Sequence, residues 1–498
     1  MNAGSTDDLG AGNSFLDCAV EIANSIEGLE GRSEILSLIA AKYAGAGQLD
    51  IAVDLAETIN DSYLRDHALA GVSARCIEVG AADYADKLSA TIEDDTAYAL
   101  AIEQMSLAYA ESGAFEKSIE VAHRLTESAP TLSRIALACL AGGLFAKALE
   151  VARSLDYPDL KASVLVELAA RAFDDGRNPE ALELLQEATK AAGEIEFPEP
   201  RISALVAIAS LNKKCGQEEM AVEILTGGHR LCNESEDLAK DPALAQIAGG
   251  FAELQRYDQA NQVIEEIEDP FQFAHATTRL ASEYQQAGDS TTALALLADA
   301  LEIGRDEEVY GERGLMMRES LLHELALCYA TAGHYEEALQ MPGLMNSQDQ
   351  QNHTLSEIAK LCLHSGNNSR VFEVSEMIKN NYARFLCDLG IVDAFIASEQ
   401  FALADHTLSE ALVRAGTIER AYQKALALIE IAPRLARREQ TAKASEVLFE
   451  ALSTVALIDD AYRQSQALIN LAGKYGELGQ PVGEREETVL EEMRVKLD

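Results

Sequence analysis

Seven glycines in this 498-residue chain are each followed, five positions later, by an alanine: Gly47 and Ala52, Gly80 and Ala85, Gly143 and Ala148, Gly176 and Ala181, Gly216 and Ala221, Gly288 and Ala293, Gly333 and Ala338. A step that returns at intervals of 30 to 45 residues is the mark of a repeat architecture, and it overrides any domain count taken from length. Weaker copies complete a series of anchors at 47, 80, 113, 143, 176, 216, 255, 288, 333, 366, 399, 439 and 479, with Gln255, Glu399 and Glu439 standing where the others have glycine. Seven positions before the anchor ten of these thirteen copies have alanine, and Ser73, Ser106 and Val392 fill the rest. A small residue at a fixed place predicts two helices in contact there.

Both flanks of an anchor are helical in pattern. Leu36, Ile39, Ala40 and Tyr43 fall at i, i+3, i+4 and i+7, and Ala52, Leu55, Ala56 and Ile59 do so again after the turn. Glycine at the anchor suits the left-handed residue that ends the first helix, and alanine in the second lets the backbones approach. One helix pair cannot bury both of its faces, so the copies must stack. Composition agrees: 48% hydrophobic, 25% charged, ten prolines, no tryptophan, and long stretches written in Ala, Leu, Glu and Ile. The expected fold is all-α, a right-handed, extended α-solenoid of about 12–13 stacked helix-turn-helix repeats.

The aliphatic-small step of the first helix (Ile39-Ala40, Leu325-Ala326, Leu471-Ala472), the large residue three later (Tyr43, Tyr329, Tyr475), the turn glycine and the alanine five beyond it together resemble the tetratricopeptide repeat, TPR. The resemblance covers about residues 15–480. Departures are Gln255, Glu399 and Glu439 for the glycine and Val371 and Glu484 for the second-helix alanine. The late small residue of the second helix is confined mainly to the 39- to 45-residue copies (Ala188, Gly228, Ala300, Ala411, Ala451), so an irregular stack or a neighbouring class of helical repeat stays open. Residues 1–14 read as a flexible arm, 301–350 as an irregularity or hinge, and 481–498 as a capping helix with Val489, Leu490 and Met493 on its apolar face. The resemblance implies a protein-binding groove. The Lys and Asn clamp of the chaperone-binding branch finds no asparagine in the slot six before the anchor, which holds Ala41, Ala74, Leu107 and their equivalents.

Forty basic against eighty-three acidic residues leave a formal charge of -43, which excludes nucleic acid as a default partner. Phosphate-loop, nucleophile-elbow, zinc-protease and dinucleotide motifs are all missing from the sequence, so no cofactor or metal is expected and the chain reads as non-catalytic. A helical-toroid enzyme is the disfavoured alternative. His323, Cys328 and His334 read as packing residues. Eight isolated cysteines fit a reducing cytoplasm, and the longest uncharged apolar run, Ile135–Ala146, is too short to span a bilayer.

The leading expectation is a scaffold or adaptor that binds one or more proteins or peptide segments. An assembly factor for a larger complex (photosystem, pilus or secretion machinery) is the alternative by family analogy; a ligand-responsive regulator finds no residues left for a second domain. The candidate partner site is a basic island, Arg414, Arg420, Lys424, Arg434, Arg437, Arg438 and Lys443, set against Glu419, Glu430 and Glu439, with Pro433 expected to kink its first helix. The competing reading has Arg437 and Arg438 closing a helix end and the others pairing with acids on adjacent copies. Met316, Met317, Met341 and Met345 form a secondary candidate surface or, alternatively, fill core gaps. Eight basic residues near the start of the first helices (Arg32, Arg65, Lys161, Arg201, Lys240, Arg318, Arg384, Lys424) are expected to pair with acids that end the preceding copy, as Asp61 before Arg65 and Asp156 before Lys161, although a ladder of them could grip an acidic peptide.

Overall fold

The computed structural model describes residues 8–235, 239–306 and 314–497, with side chains from residue 14 onward, and every regular element among them is helical. The chain opens with α1 (Asp8–Asn24) and then runs in pairs, a helix A followed by a helix B. The first three pairs are α2 (Leu29–Gly45) with α3 (Leu49–Glu57), α4 (Ser62–Glu78) with α5 (Ala82–Ser89), and α6 (Asp95–Glu111) with α7 (Phe115–Ala122). Next come α8 (Ala129–Ala141) with α9 (Phe145–Ser154), α10 (Pro158–Asp174) with α11 (Asn178–Glu194), and α12 (Pro198–Lys214) with α13 (Glu218–Glu234). They are followed by α14 (Lys240–Glu253) with α15 (Tyr257–Ile264), and α16 (Pro270–Gln286) with α17 (Ser290–Arg305). In the next pair, α18 (Leu315–Thr331) with α19 (Tyr335–Ala338), helix B is one turn long and passes into a 3-10 turn, Met341–Leu344. The rest are α20 (Gln348–His364) with α21 (Asn368–Met377), α22 (Asn381–Ala397) with α23 (Phe401–Gly416), α24 (Ala421–Arg437) with α25 (Thr441–Val455), then α26 (Ala461–Glu477) and α27 (Glu484–Val495).

All thirteen anchors lie between a helix A and the next helix of the chain, and all thirteen have positive φ, including Gln255 at 56°, Glu399 at 58° and Glu439 at 59°. The turn is a Schellman closure: the Gly47 N–H donates to Ala44 O and the Gln48 N–H to Tyr43 O, both at 2.9 Å. Gln255 and Arg256 make the same two bonds to Ala252 and Phe251, at 2.8 and 2.9 Å. The residue seven before each anchor is buried in every copy. TPR-like helix-turn-helix repeats therefore make up the fold.

Helix B comes in two lengths, and the difference explains the uneven spacing. It has 15 to 17 residues in α11, α13, α17, α23 and α25, the five copies that carry the late small residue. Ala188, Ala300, Ala411 and Ala451 are fully buried there. In α3, α5, α7, α9, α15 and α21 it stops after 8 to 10 residues. Three short copies carry an acid fourteen positions before the anchor that clamps the entry of the next helix A. Asp66 accepts the backbone N–H of Glu93 and Asp94 (both 3.0 Å), Asp241 those of Glu268 and Asp269 (3.3 and 2.8 Å), and Glu319 those of Asn346 and Ser347 (2.9 and 2.7 Å). At this position the five long copies have Ala162, Ile202, Ala274, Phe385 and Ala425.

The chain divides into two compact units, residues 127–377 and a second made of 1–126 with 378–498. In the first, the A helices α8, α10, α12, α14, α16, α18 and α20 adjoin one another in chain order. In the second, the chain ends interlock. α1 packs along α26 in the place that helix B takes in every other copy, and α26 adjoins both α24 and α2. One hydrophobic core runs through the junction, from Phe15, Cys18, Ala19 and Ile22 to Leu468, Leu471, Ala472 and Tyr475. Phe15 and Tyr475 rings lie 4.7 Å apart, and the Ser465 hydroxyl donates to Ala19 O at 3.4 Å. α27 lies against α1 and α25, burying Leu490 and Met493; Ser14 donates to Glu487 at 2.7 Å and Arg494 pairs with Glu21 at 3.3 Å. Residues 8–14, expected from the sequence to be part of an arm, thus belong to α1; residues 1–7 lie outside the described residues.

Candidate partner-binding surface

The structure divides the basic island into two groups. Arg414 Nε donates to the buried Asp388 at 2.8 Å. Arg434 forks onto Asp393 with Nε at 3.0 Å and Nη2 at 2.7 Å, and its Nη1 donates to Glu430 O at 2.6 Å. Arg438 forks onto Asp405 at 3.0 and 3.1 Å while its guanidinium lies 4.2 Å over the Phe401 ring. These three tie α23 to α22, α24 to α22 and the C-cap of α24 to α23, each with 17–18% of its side chain exposed, and the bidentate forks of Arg434 and Arg438 at partly covered sites make strong cross-links. Lys424 reaches Glu450 at 3.4 Å. Arg437 is 63% exposed and 4.0 Å from Asp393. Arg420 and Lys443 are exposed and pair with no acid among the described residues. Pro433 lies inside α24 and is buried.

The four methionines also separate: Met341 and Met345 are buried beside the 3-10 turn, while Met316 is 83% and Met317 41% exposed at the start of α18. Of the segment LEIGRDEEVYGERGLMM, residues 307–313 lie outside the described residues. Two of the basic residues that open the A helices, Arg65 and Lys161, bond elsewhere than to the acid that precedes them. Asp61 caps α4 by accepting the Leu64 N–H at 2.9 Å, and Arg65 turns to Asp66 instead. Lys161 donates to the carbonyls of Arg153 and Leu155 at 2.9 and 3.5 Å, and Arg318 to Gly304 O and Leu344 O at 2.8 and 3.1 Å. The end of a helix B leaves orphan carbonyls, which are nearer and better fixed than a flexible carboxylate.

In unit 127–377 the A helices are bridged by polar side chains that no sequence motif marks. Ser203 donates to Gln246 at 2.9 Å, Lys213 to Glu253 O, and His275 Nε2 lies 3.4 Å from Glu324. His323 bonds Thr354 at 2.9 Å and stacks on His353 with centroids 5.1 Å apart. Arg279 lies flat on Gly249, where any Cβ would meet the guanidinium at 2.6 Å. Burial pushes the Glu324 carboxyl up to about 7 and the Cys328 thiol to about 12, and it holds His275 and His323 below the ordinary imidazole value, helped by Arg279 and His353 respectively. Among the described residues no cluster of three or more His, Cys, Asp or Glu is placed to hold a metal ion, and no helix is long and apolar enough to cross a membrane.

In the other unit a cleft of about 570 Å³ opens between the starts of α22, α24 and α26. Tyr382, Arg420, Tyr422, Leu426, Leu457 and Arg463 are its principal walls. Tyr422 is fixed by donating its hydroxyl to Gln466, and the Arg463 guanidinium stands 5.9 Å from its ring centre. The 40-residue spacing of Tyr382 and Tyr422 was the available sequence signal for this wall.

The fold and these surfaces define an all-α protein built of TPR-like repeats. No protein-family model matches the sequence, and no curated protein matches it. Among solved structures the chain is similar to Ton1535 from Thermococcus onnurineus NA1, at 15% identity over 74% of this chain and 98% of that one, with a TM-score of 0.27. It is also similar to a Rap protein complexed with Competence and Sporulation Factor (14% identity, 69% and 99% covered, TM-score 0.29) and to Naa15/Naa10 bound to HypK-THB (13% identity, 97% and 99% covered, TM-score 0.27).

Proposed function

We propose that this protein is a non-catalytic scaffold or adaptor that binds partner proteins through the repeat surface, with its main contact at the outward part of the basic island. The observation that carries this reading is the division of that island. Arg414, Arg434 and Arg438 are consumed by the fold, whereas Arg420, Arg437 and Lys443 project from a chain whose formal charge is -43. Exposed cations in so acidic a protein gain little from each other and are best satisfied by an acidic partner. None of the eight cysteines is in a disulfide and six are buried, which suits a reducing compartment such as the cytoplasm.

The test is a triple variant, Arg420→Glu with Arg437→Glu and Lys443→Glu, compared with the parent in crosslinking capture from native cells and in thermal melting. The expected result is lost capture with an unchanged melt. Capture that survives the triple variant would remove the island from the site, and a parent that captures no protein would overturn the scaffold reading. A recurrent, stoichiometric partner set identifies a scaffold; short-lived capture of unassembled subunits identifies the assembly-factor alternative.

A further inference from the structure

The cleft at the starts of α22, α24 and α26 combines three properties. It is concave, with about 570 Å³ of space, a size that admits several side chains of a bound segment. Its walls carry flat and aliphatic groups, the Tyr382 and Tyr422 rings with Leu426, Ile458 and the 69%-exposed Leu457. Its two cations, Arg420 and Arg463, have no carboxylate partner among the described residues, although Asp459 and Asp460 lie close by. Asp460 is occupied: its Oδ1 accepts the Arg463 backbone N–H at 2.8 Å and caps α26. Asp459 stays exposed at the edge.

We propose that this cleft docks a short segment of a partner protein in which side-chain carboxylates alternate with aliphatic residues. The proposal rests on the scaffold reading above and names its partner chemistry. Charge decides the occupant: eighty-three acids against forty bases repel an acidic segment from most of the chain, whereas in the cleft two cations without an ion pair among the described residues, Arg420 and Arg463, face Asp459 and an Asp460 already committed to capping α26. Arg420 and Arg463 take the carboxylates as forks, and the aliphatic groups cover Leu457, Leu426 and the tyrosine faces. The site is distinct from a clamp on a terminal carboxylate, because it engages side chains and lies at the helix starts of copies 40 residues apart.

The experiment uses the full chain and a fluorescein-labelled peptide rich in Asp, Glu and Leu, read by fluorescence anisotropy, with a Lys-for-acid version as control. Arg420→Glu with Arg463→Glu is expected to weaken binding at least tenfold and Tyr422→Ala several-fold, while the Lys version does not bind the parent. Neither arginine has a side-chain ion pair in the fold, and a glutamate at the N-cap of α24 is favoured by the helix dipole, so the double variant keeps its melt; Arg420→Ala serves as a second, neutral variant. No binding of the acidic peptide, or an equal loss on Arg437→Glu with Lys443→Glu outside the cleft, overturns the proposal. If the native partner is still captured by the cleft variant, the docking site is wrong and the scaffold reading stands.

Discussion

Gln255, Glu399 and Glu439 hold the left-handed conformation that ten other copies assign to glycine, so each stores backbone strain of roughly 1 kcal/mol. Replacing each with glycine removes that strain and adds some unfolded-state entropy. The net expectation is about 0.5 kcal/mol of added stability per site, read as a rise in melting temperature that is additive over the triple variant. The reverse change, Gly176→Ala, adds a Cβ that meets nothing within 4 Å, so its expected loss of about 1 kcal/mol measures conformation alone. Equal melts for glycine and non-glycine anchors would show the turns to be unstrained. Glu324 supplies a pH-dependent counterpart. Its folded pKa is raised by burial to about 7, so its stabilising share is complete below the unfolded value near 4.5 and disappears as pH rises through 7. Glu324→Gln is therefore expected to stabilise the fold at pH 8 by about 1 kcal/mol once its 30% exposure is allowed for, read as a higher melting temperature, and to leave the melt unchanged near pH 4.5. A gain at both pH values would trace the effect to packing instead.

Between elements, the acid clamps occur in three of the short copies and in none of the five long ones. A short helix B ends too early to cover the entry of the next helix A, and Asp66, Asp241 and Glu319 satisfy the exposed N–H pairs there. Burial alone would raise the Asp66 carboxyl, but the N–H groups of Asp94 and Glu93, with Arg65, outweigh it and hold the group below the usual range. Asp66→Ala leaves two donors without their acceptor and is expected to cost about 2 kcal/mol, with faster amide exchange at Glu93 and Asp94 than at Ala97, which is capped separately by Asp94. Placing an acid at the same position of a long copy, Ala162→Asp, buries a carboxylate at a fully covered site and is expected to destabilise. Should Asp66→Ala melt like the parent, water must replace the clamp at no cost.

For the whole chain, the decisive contact is between its ends. α1 supplies the helix that α26 needs, and α27 lies over the seam. Removing residues 1–24 strips Phe15, Cys18, Ala19 and Ile22 from the core shared with Tyr475 and leaves a helix face uncovered. The expected outcome is a drop in melting temperature well beyond that of a fraying arm, together with self-association through the exposed face. A truncated chain that melts unchanged would refute the seam. Joining residue 498 to residue 1 and opening the chain between residues 126 and 127, at the boundary of the two units, is expected to preserve helical content.

Local pattern was enough to locate all thirteen turns, because a left-handed residue, a buried small residue and a 3.6-residue apolar period are each written within one copy. The late small residue marked the longer copies, but that helix B itself is long there and short elsewhere came only from the structure. Local pattern also named Leu490 and Met493 as a buried face. It could not say what that face would meet, because Cys18 and Leu490 are 472 residues apart and nothing in either segment identifies the other. For the basic island the competing reading foresaw pairing with acids on adjacent copies, but not which arginines would pair or with which acid. Arg434 and Asp393 are 41 residues apart and Arg438 and Asp405 are 33, separations at which composition records an excess of charge but not its pairing. Which arginines hold the helices together and which stay exposed depends on how the A and B helices align across copies, and only the folded chain brings the paired side chains within hydrogen-bonding distance.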